Sequence, residues 1–173
     1  IKDHYKNSID FITADGGFDY SIDFNKQEEH SINLIFSEII YALILQKIGG
    51  SFVLKVYDIF HLNTIEMMYL LSYFYESVYI YKPYTSREAN SEKYIICSGF
   101  NGCSKEIKKE LTKHFETSEN MFINIPDSFI KEIVKYNQLF TSDQITKIKE
   151  ILNSSKQTIQ IPGKKQIENA VRW

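Results

Sequence analysis

Three residues of this 173-residue sequence form a set that could handle a proton and a cation together. They are Asp15 in Ala14-Asp15-Gly16-Gly17-Phe18, Lys55 in Phe52-Val53-Leu54-Lys55-Val56-Tyr57-Asp58, and Glu92 in Ser86-Arg87-Glu88-Ala89-Asn90-Ser91-Glu92-Lys93. Each falls near the end of an expected strand, and ligands of open α/β sheets bind outside the carboxyl ends of strands. Lys55 stands in an apolar run, where a charged amine must be paired or shift its pKa. A lysine held between an aspartate and a glutamate meets that requirement. The same set suits attack by a hydroxyl: a base must take the hydroxyl proton, and a carboxylate can steady a cationic partner. Singly, each residue has a plainer reading. Asp15 before two glycines is an ordinary turn aspartate. Lys55 is then a strand-end lysine whose stem lies on the core while its amine reaches water. Glu92 alone is an unremarkable strand-end glutamate.

The elements that must position this set follow from hydrophobic periodicity. Residues 9–14 predict a short strand that ends at the Asp15-Gly16-Gly17 turn, and residues 18–29 a polar loop. Ile32, Ile35, Phe36, Ile39, Ile40, Leu43, Ile44 and Ile48 recur at helical spacing, which predicts a helix over 31–48 closed by Gly49-Gly50 as a left-handed cap. Residues 51–57 predict an apolar strand of the kind covered on both faces. A helix over 64–75, opened by Asn63 with Glu66, and strands over 78–81 and 94–98 follow. The last two strands are joined only by the polar loop 82–93, so they cannot be parallel neighbours; one antiparallel strand in an otherwise parallel sheet is expected. From Ser104 onward the pattern is helical. Ile107, Leu111 and Phe115 form one stripe, a second helix begins after Pro126 with Asp127 or Ser128 as its cap, and a third covers 142–152. A short strand over 158–161 and a final helix close the sequence. The fold class is therefore α/β, a mixed sheet with a helical appendix.

The motifs around the three residues resemble RNA 2′-O-methyltransferases of the FtsJ/RrmJ type, and within them the cap-specific mRNA 2′-O-methyltransferases. The resemblance covers about residues 10–100. Asp15-Gly16-Gly17-Phe18, Lys55-Val56-Tyr57-Asp58-Ile59-Phe60 and Thr85-Ser86-Arg87-Glu88-Ala89-Asn90-Ser91-Glu92 all lean toward the cap group. It implies a Rossmann-like methyltransferase sheet and S-adenosylmethionine as donor, with Asp15, Lys55 and Glu92 as three members of a Lys-Asp-Lys-Glu catalytic tetrad. It further implies Asp15 and Gly16 at the cofactor, and Ser86, Arg87 and Asn90 along an RNA cleft, where Arg87 could hold a phosphate. The expected partner is the capped 5′ end of an mRNA. Read without the resemblance, Arg87 and Lys93 are a solvated loop face.

The sequence departs from that pattern at its amino-terminal side. No Gly-rich turn precedes Asp15, and the first lysine of the tetrad has no counterpart. The expectation is that residues 1–102 form the C-terminal half of the methyltransferase domain, that the N-terminal half lies elsewhere in the same protein or in another chain, and that residues 103–173 are a helical extension packed on or beside it. Two further readings stay open: methylation of ribosomal or transfer RNA ribose, and a non-catalytic RNA-binding scaffold that keeps the fold.

Bulk properties set limits on these readings. The formal net charge is −2, so no global basic field marks the chain as a nucleic-acid binder. Lys105, Lys108, Lys109 and Lys113 are interrupted by Glu106 and Glu110, as on the solvent face of an amphipathic helix. No apolar run is long enough to span a bilayer, and no signal peptide is expected. His4, His30, His61 and His114 lack ligand spacing, which argues against a metal site. Cys97 in an apolar strand reads as a buried thiol, consistent with an intracellular, reducing compartment.

Overall fold

The computed structural model of the chain describes residues 5–18, 26–117 and 124–154. Strand β1 (Ile9–Ala14) leads to helix α1 (Gln27–Leu45), which passes directly into β2 (Gln46–Val56). Helix α2 (Leu62–Phe74) passes in the same way into β3 (Tyr75–Tyr81). Strand β4 (Lys93–Phe100) and helices α3 (Lys105–Thr117) and α4 (Asp127–Ser154) follow.

The sheet order is β1-β2-β4-β3. β1 and β2 are parallel, joined by the α1 crossover, and β4 runs antiparallel to both β2 and β3. β4 is thus the single antiparallel strand, as the bare loop before it requires. Register places Lys55 opposite Tyr94, Tyr94 opposite Tyr81, and Val56 opposite Lys93. Because side chains alternate across a strand, these pairings sort the residues into two faces. Phe52, Leu54, Val56, Ile95 and Cys97 lie on one face and are completely buried, in one core with Ile39, Leu43, Met67 and Leu71 of the helices. The opposite face carries Thr13, Val53, Lys55, Tyr94, Ile96, Tyr79 and Tyr81. Among the described residues it is only half covered, and Tyr79 remains 61% exposed. The expectation of a sheet covered on both faces therefore holds for one face of the described structure.

Three boundaries differ from expectation. Helix α1 begins at Gln27, inside the expected loop, and ends at Leu45. Gln46–Gly50 belong to β2, whose pairing jumps from Ile9 opposite Gln46 to Phe11 opposite Ser51. Gly49, at φ +81°, serves this irregular start of a strand and does not cap a helix. Ile48 mimicked helical spacing yet is 76% exposed. At the start of α2, Asn63 is inside the helix and His61 is its N-cap. The chain entering the helix is held from a distance: the buried Glu28 carboxylate accepts the N–H groups of Phe60 and His61, each at 2.8 Å. Finally, the two helices expected after Pro126 are one helix of 28 residues. The expected strand over 158–161 and the last helix lie outside the described residues. Both cysteines are free, and burial pushes the Cys97 thiol up to about 12.

Candidate functional site

The turn after β1 and the end of β2 meet because the two strands are parallel neighbours, with Ala14 opposite Leu54. Lys55, one residue further on, reaches back to the turn. Its Nζ lies 2.6 Å from Asp15 Oδ1 and donates to the Asp15 carbonyl at 3.2 Å. The Lys55 side chain is 15% exposed, whereas that of Asp15 is 66% exposed. The amine therefore emerges from between strands toward a carboxylate that faces solvent. The Tyr57 ring centre lies 5.9 Å from the same amine. Burial pulls the Lys55 proton affinity down. The hydrogen bond to Asp15 and the charges of Tyr57, Asp15 and Glu92 outweigh it, so the net shift is upward. At neutral pH Lys55 is an ammonium.

Glu92 stands one step away. It precedes β4, accepts the Tyr94 hydroxyl at 3.0 Å and the Asn90 amide at 3.3 Å, and acts on Lys55 through charge at longer range. Tyr94, directly across from Lys55, links the two sides. Burial and the hydrogen bond to Glu92 push its phenol up to about 12, so it stays neutral and donates to the carboxylate. The structure thus brings Asp15 and Lys55 into contact and places Glu92 behind Tyr94.

Gly16 is hemmed in by protein. Its N–H donates to Glu38 Oε1 at 3.0 Å, and a Cβ at this position would fall 2.5 Å from that oxygen. Glu38 was not among the residues singled out from sequence. Burial raises its pKa; the Gly16 amide and the Lys55 charge oppose that, and Asp15 adds to it. The only hint in the sequence is a carboxylate inside the apolar stretch of α1.

The loop 82–92 is built around two lysines. Lys82 Nζ donates to the Asn90 carbonyl and side-chain oxygen, both at 2.8 Å, and to the Glu92 carbonyl at 3.0 Å. Ser86 Oγ donates to the same Asn90 side-chain oxygen at 3.2 Å. Ser86 and Asn90 therefore use their hydrogen bonds within the loop, while Arg87 is exposed and its guanidinium has no partner among the described residues. Lys93, which read without the resemblance belongs to a solvated loop face, is buried. It donates to the Ser91 and Tyr57 carbonyls and pairs with Asp58 at 3.3 Å, with the Phe140 ring of α4 at 5.4 Å from its amine. Burial lowers the proton affinity of both Lys82 and Lys93. α4 adds outer ties: the amide groups of Gln144 and Asn137 donate to the carbonyls of Ala89 (3.0 Å) and Ile59 (2.6 Å).

An ammonium, a neighbouring carboxylate and a second carboxylate across a tyrosine form an arrangement that can hold a hydroxyl and stabilise positive charge. Among the described residues no His/Cys/Asp/Glu group could hold a metal ion, and no helix is long and apolar enough to cross a membrane. The model of the family described as FtsJ-like methyltransferase matches residues 1–100. A cap-specific mRNA (nucleoside-2′-O-)-methyltransferase 2 from Danio rerio is 36% identical over 154 residues, covering 84% of this chain and 21% of the relative. A cap-specific mRNA (nucleoside-2′-O-)-methyltransferase 1 from Trypanosoma brucei brucei is 32% identical over 139 residues, covering 80% of this chain and 38% of the relative. The chain therefore spans well under half the length of either. A solved ribosomal RNA methyltransferase from Plasmodium falciparum shares 25% identity with a TM-score of 0.45, over 55% of this chain and 48% of that one.

Proposed function

The chain belongs to the FtsJ-like methyltransferase family, and from that premise we propose that it carries the acceptor-activating side of an enzyme that methylates a ribose 2′-hydroxyl near the 5′ cap of mRNA. The observation that carries this reading is the 2.6 Å contact between Lys55, at a strand end, and the solvent-facing Asp15 carboxylate. S-adenosylmethionine, when bound, supplies an electrophilic methyl group on a cationic sulfur. The residues present fit such a cation: the Asp15 carboxylate stands at the turn with two-thirds of its side chain exposed. Asp15 and Gly16 would hold the donor from this side.

Lys55 orients the acceptor. As an ammonium it donates to the 2′-oxygen; as an amine it takes the hydroxyl proton on Nζ. Since its carboxylate neighbours keep it protonated, that proton must first pass to solvent water before Nζ can accept the one from the hydroxyl. Tyr94 holds the Glu92 carboxylate by its hydroxyl, and the charge of Glu92 favours the returning ammonium. Arg87 is the exposed loop cation suited to a backbone phosphate, and Ser86 and Asn90 serve by shaping the loop that presents it. The names of both relatives support the cap as the target over structured RNA. The test is methyl incorporation by the full-length protein into matched RNAs with a guanosine cap or a plain triphosphate end, and into ribosomal RNA. Preferential labelling of the capped RNA is expected. Equal labelling of capped and uncapped RNA defeats the cap reading. No labelling of any RNA leaves the non-catalytic scaffold.

A further inference from the structure

The direction of the Asp15 carboxylate depends on the turn that bears it. β1 ends at Ala14, immediately before that turn. Its next amide, at Gly16, is taken by a side chain 22 residues away, the Glu38 carboxylate of α1. The fit there is tight on two sides: a Cβ at Gly16 would lie 2.5 Å from Glu38 Oε1 and 3.0 Å from Leu34 Cδ2, one helical turn earlier on the same face. Ile39, next to Glu38, and Ile35, three residues before it, are buried to 0% and 3% exposure, so its backbone is fixed to the core. A rigid helix thus grips the peptide immediately after Asp15.

We propose that Glu38 is a positioning residue: its Oε1 holds the Gly16 N–H so that the Asp15 carboxylate and carbonyl stay on the Lys55 ammonium. The role requires a hydrogen-bond acceptor at that reach; a negative charge alone does not supply it. The proposal rests on the methyl-transfer reading for its kinetic consequence, while its structural consequence can be read without it.

The experiment compares Glu38→Gln, Glu38→Asp and Glu38→Leu in the full-length protein, with single-turnover methyl transfer, KM for RNA and hydrogen exchange at the Gly16 amide. Glu38→Leu removes the acceptor, and Glu38→Asp keeps the charge but shortens the reach by one methylene. Both are expected to lower kcat about tenfold with KM changed less than about threefold, and to speed Gly16 exchange by about tenfold. Glu38→Gln keeps an acceptor oxygen at full reach and is expected to rescue both readouts to within about threefold of the unsubstituted protein. If Glu38→Leu does not fold, the Asp and Gln variants decide. Full activity and slow exchange in Glu38→Asp, or losses in Glu38→Gln equal to those in Glu38→Asp, would overturn the proposal. Should the unsubstituted protein label no RNA, the methyl-transfer reading fails, and Gly16 exchange alone decides: faster in Asp than in Gln supports the positioning role, and equal rates refute it.

Discussion

Lys55 and Lys93 sit on adjacent strands near the same end of the sheet, yet they face opposite sides of it. Lys55 opposes Tyr94 and Lys93 opposes Val56 in a single ladder. Lys55 meets one exposed carboxylate, and its proton affinity is raised. Lys93 is enclosed by two carbonyls, Asp58 and an aromatic ring, and burial lowers its proton affinity. One lysine keeps an open side toward solvent; the other spends its donors on holding the chain. A one-residue difference in register therefore separates a candidate reactive group from a structural one.

That contrast is open to three measurements. The largest effect is expected for Lys55→Ala in the full-length protein: methyl transfer falls by about 10²–10⁴-fold, the usual worth of a positioned acid or base, with cofactor binding largely kept. Near-normal turnover by that variant would remove Lys55 from the chemistry. Next comes Lys93→Met, which strands Asp58 and the Ser91 and Tyr57 carbonyls without their donor. It should cost about 2–4 kcal/mol of stability in denaturant unfolding. A loss as small as that of an ordinary surface change would show that the buried lysine is dispensable.

The smallest effect is in the pH dependence of stability, where the two lysines have opposite signs. Lys55 binds its proton more tightly when folded, so its contribution is complete below the ordinary value of 10.5 and is lost as pH rises through its higher folded pKa. Lys93 binds its proton less tightly when folded, so stability rises with pH between its lowered pKa and 10.5. Urea midpoints followed from pH 8 to 11 should show a smaller rise in Lys93→Met and a smaller final fall in Lys55→Met, the rest of the rise coming from Lys82. Identical profiles for the two variants would contradict the assignment.

The site was legible in sequence where strands made it. Asp15 and Lys55 could be paired on paper because a parallel β-α-β unit brings one strand end beside the next. The antiparallel β4 could be read because a bare loop cannot cross a sheet. What escaped depended on contacts between distant residues. Glu38 on the Gly16 amide spans 22 residues, and Glu28 on the start of α2 spans more than 30. Lys93 looked like part of a polar loop because nothing local predicts Phe140 closing over it. α4 read as two helices because Ser142-Asp143 imitates a helix start; instead Ser142 continues the helix, its carbonyl accepting the Thr146 hydroxyl at 2.9 Å. Gly49-Gly50 imitated a helix stop for a related reason, since a left-handed glycine serves a strand irregularity equally well.

The half-covered sheet face has a bearing on when Lys55 can act. Thr13, Val53, Tyr94 and Ile96 share that face with Lys55, and Tyr79 and Tyr81 extend the same surface. With that surface wet, high-dielectric solvent screens the amine and its carboxylates set the balance. Any layer laid over it, whether protein or nucleobase, removes that solvent and strengthens the one influence that already pulls the Lys55 proton off. The same layer would also strengthen the attraction of Asp15 and Glu92 for the ammonium, so drying this face would raise the sensitivity of Lys55 to the charge of whatever docks there.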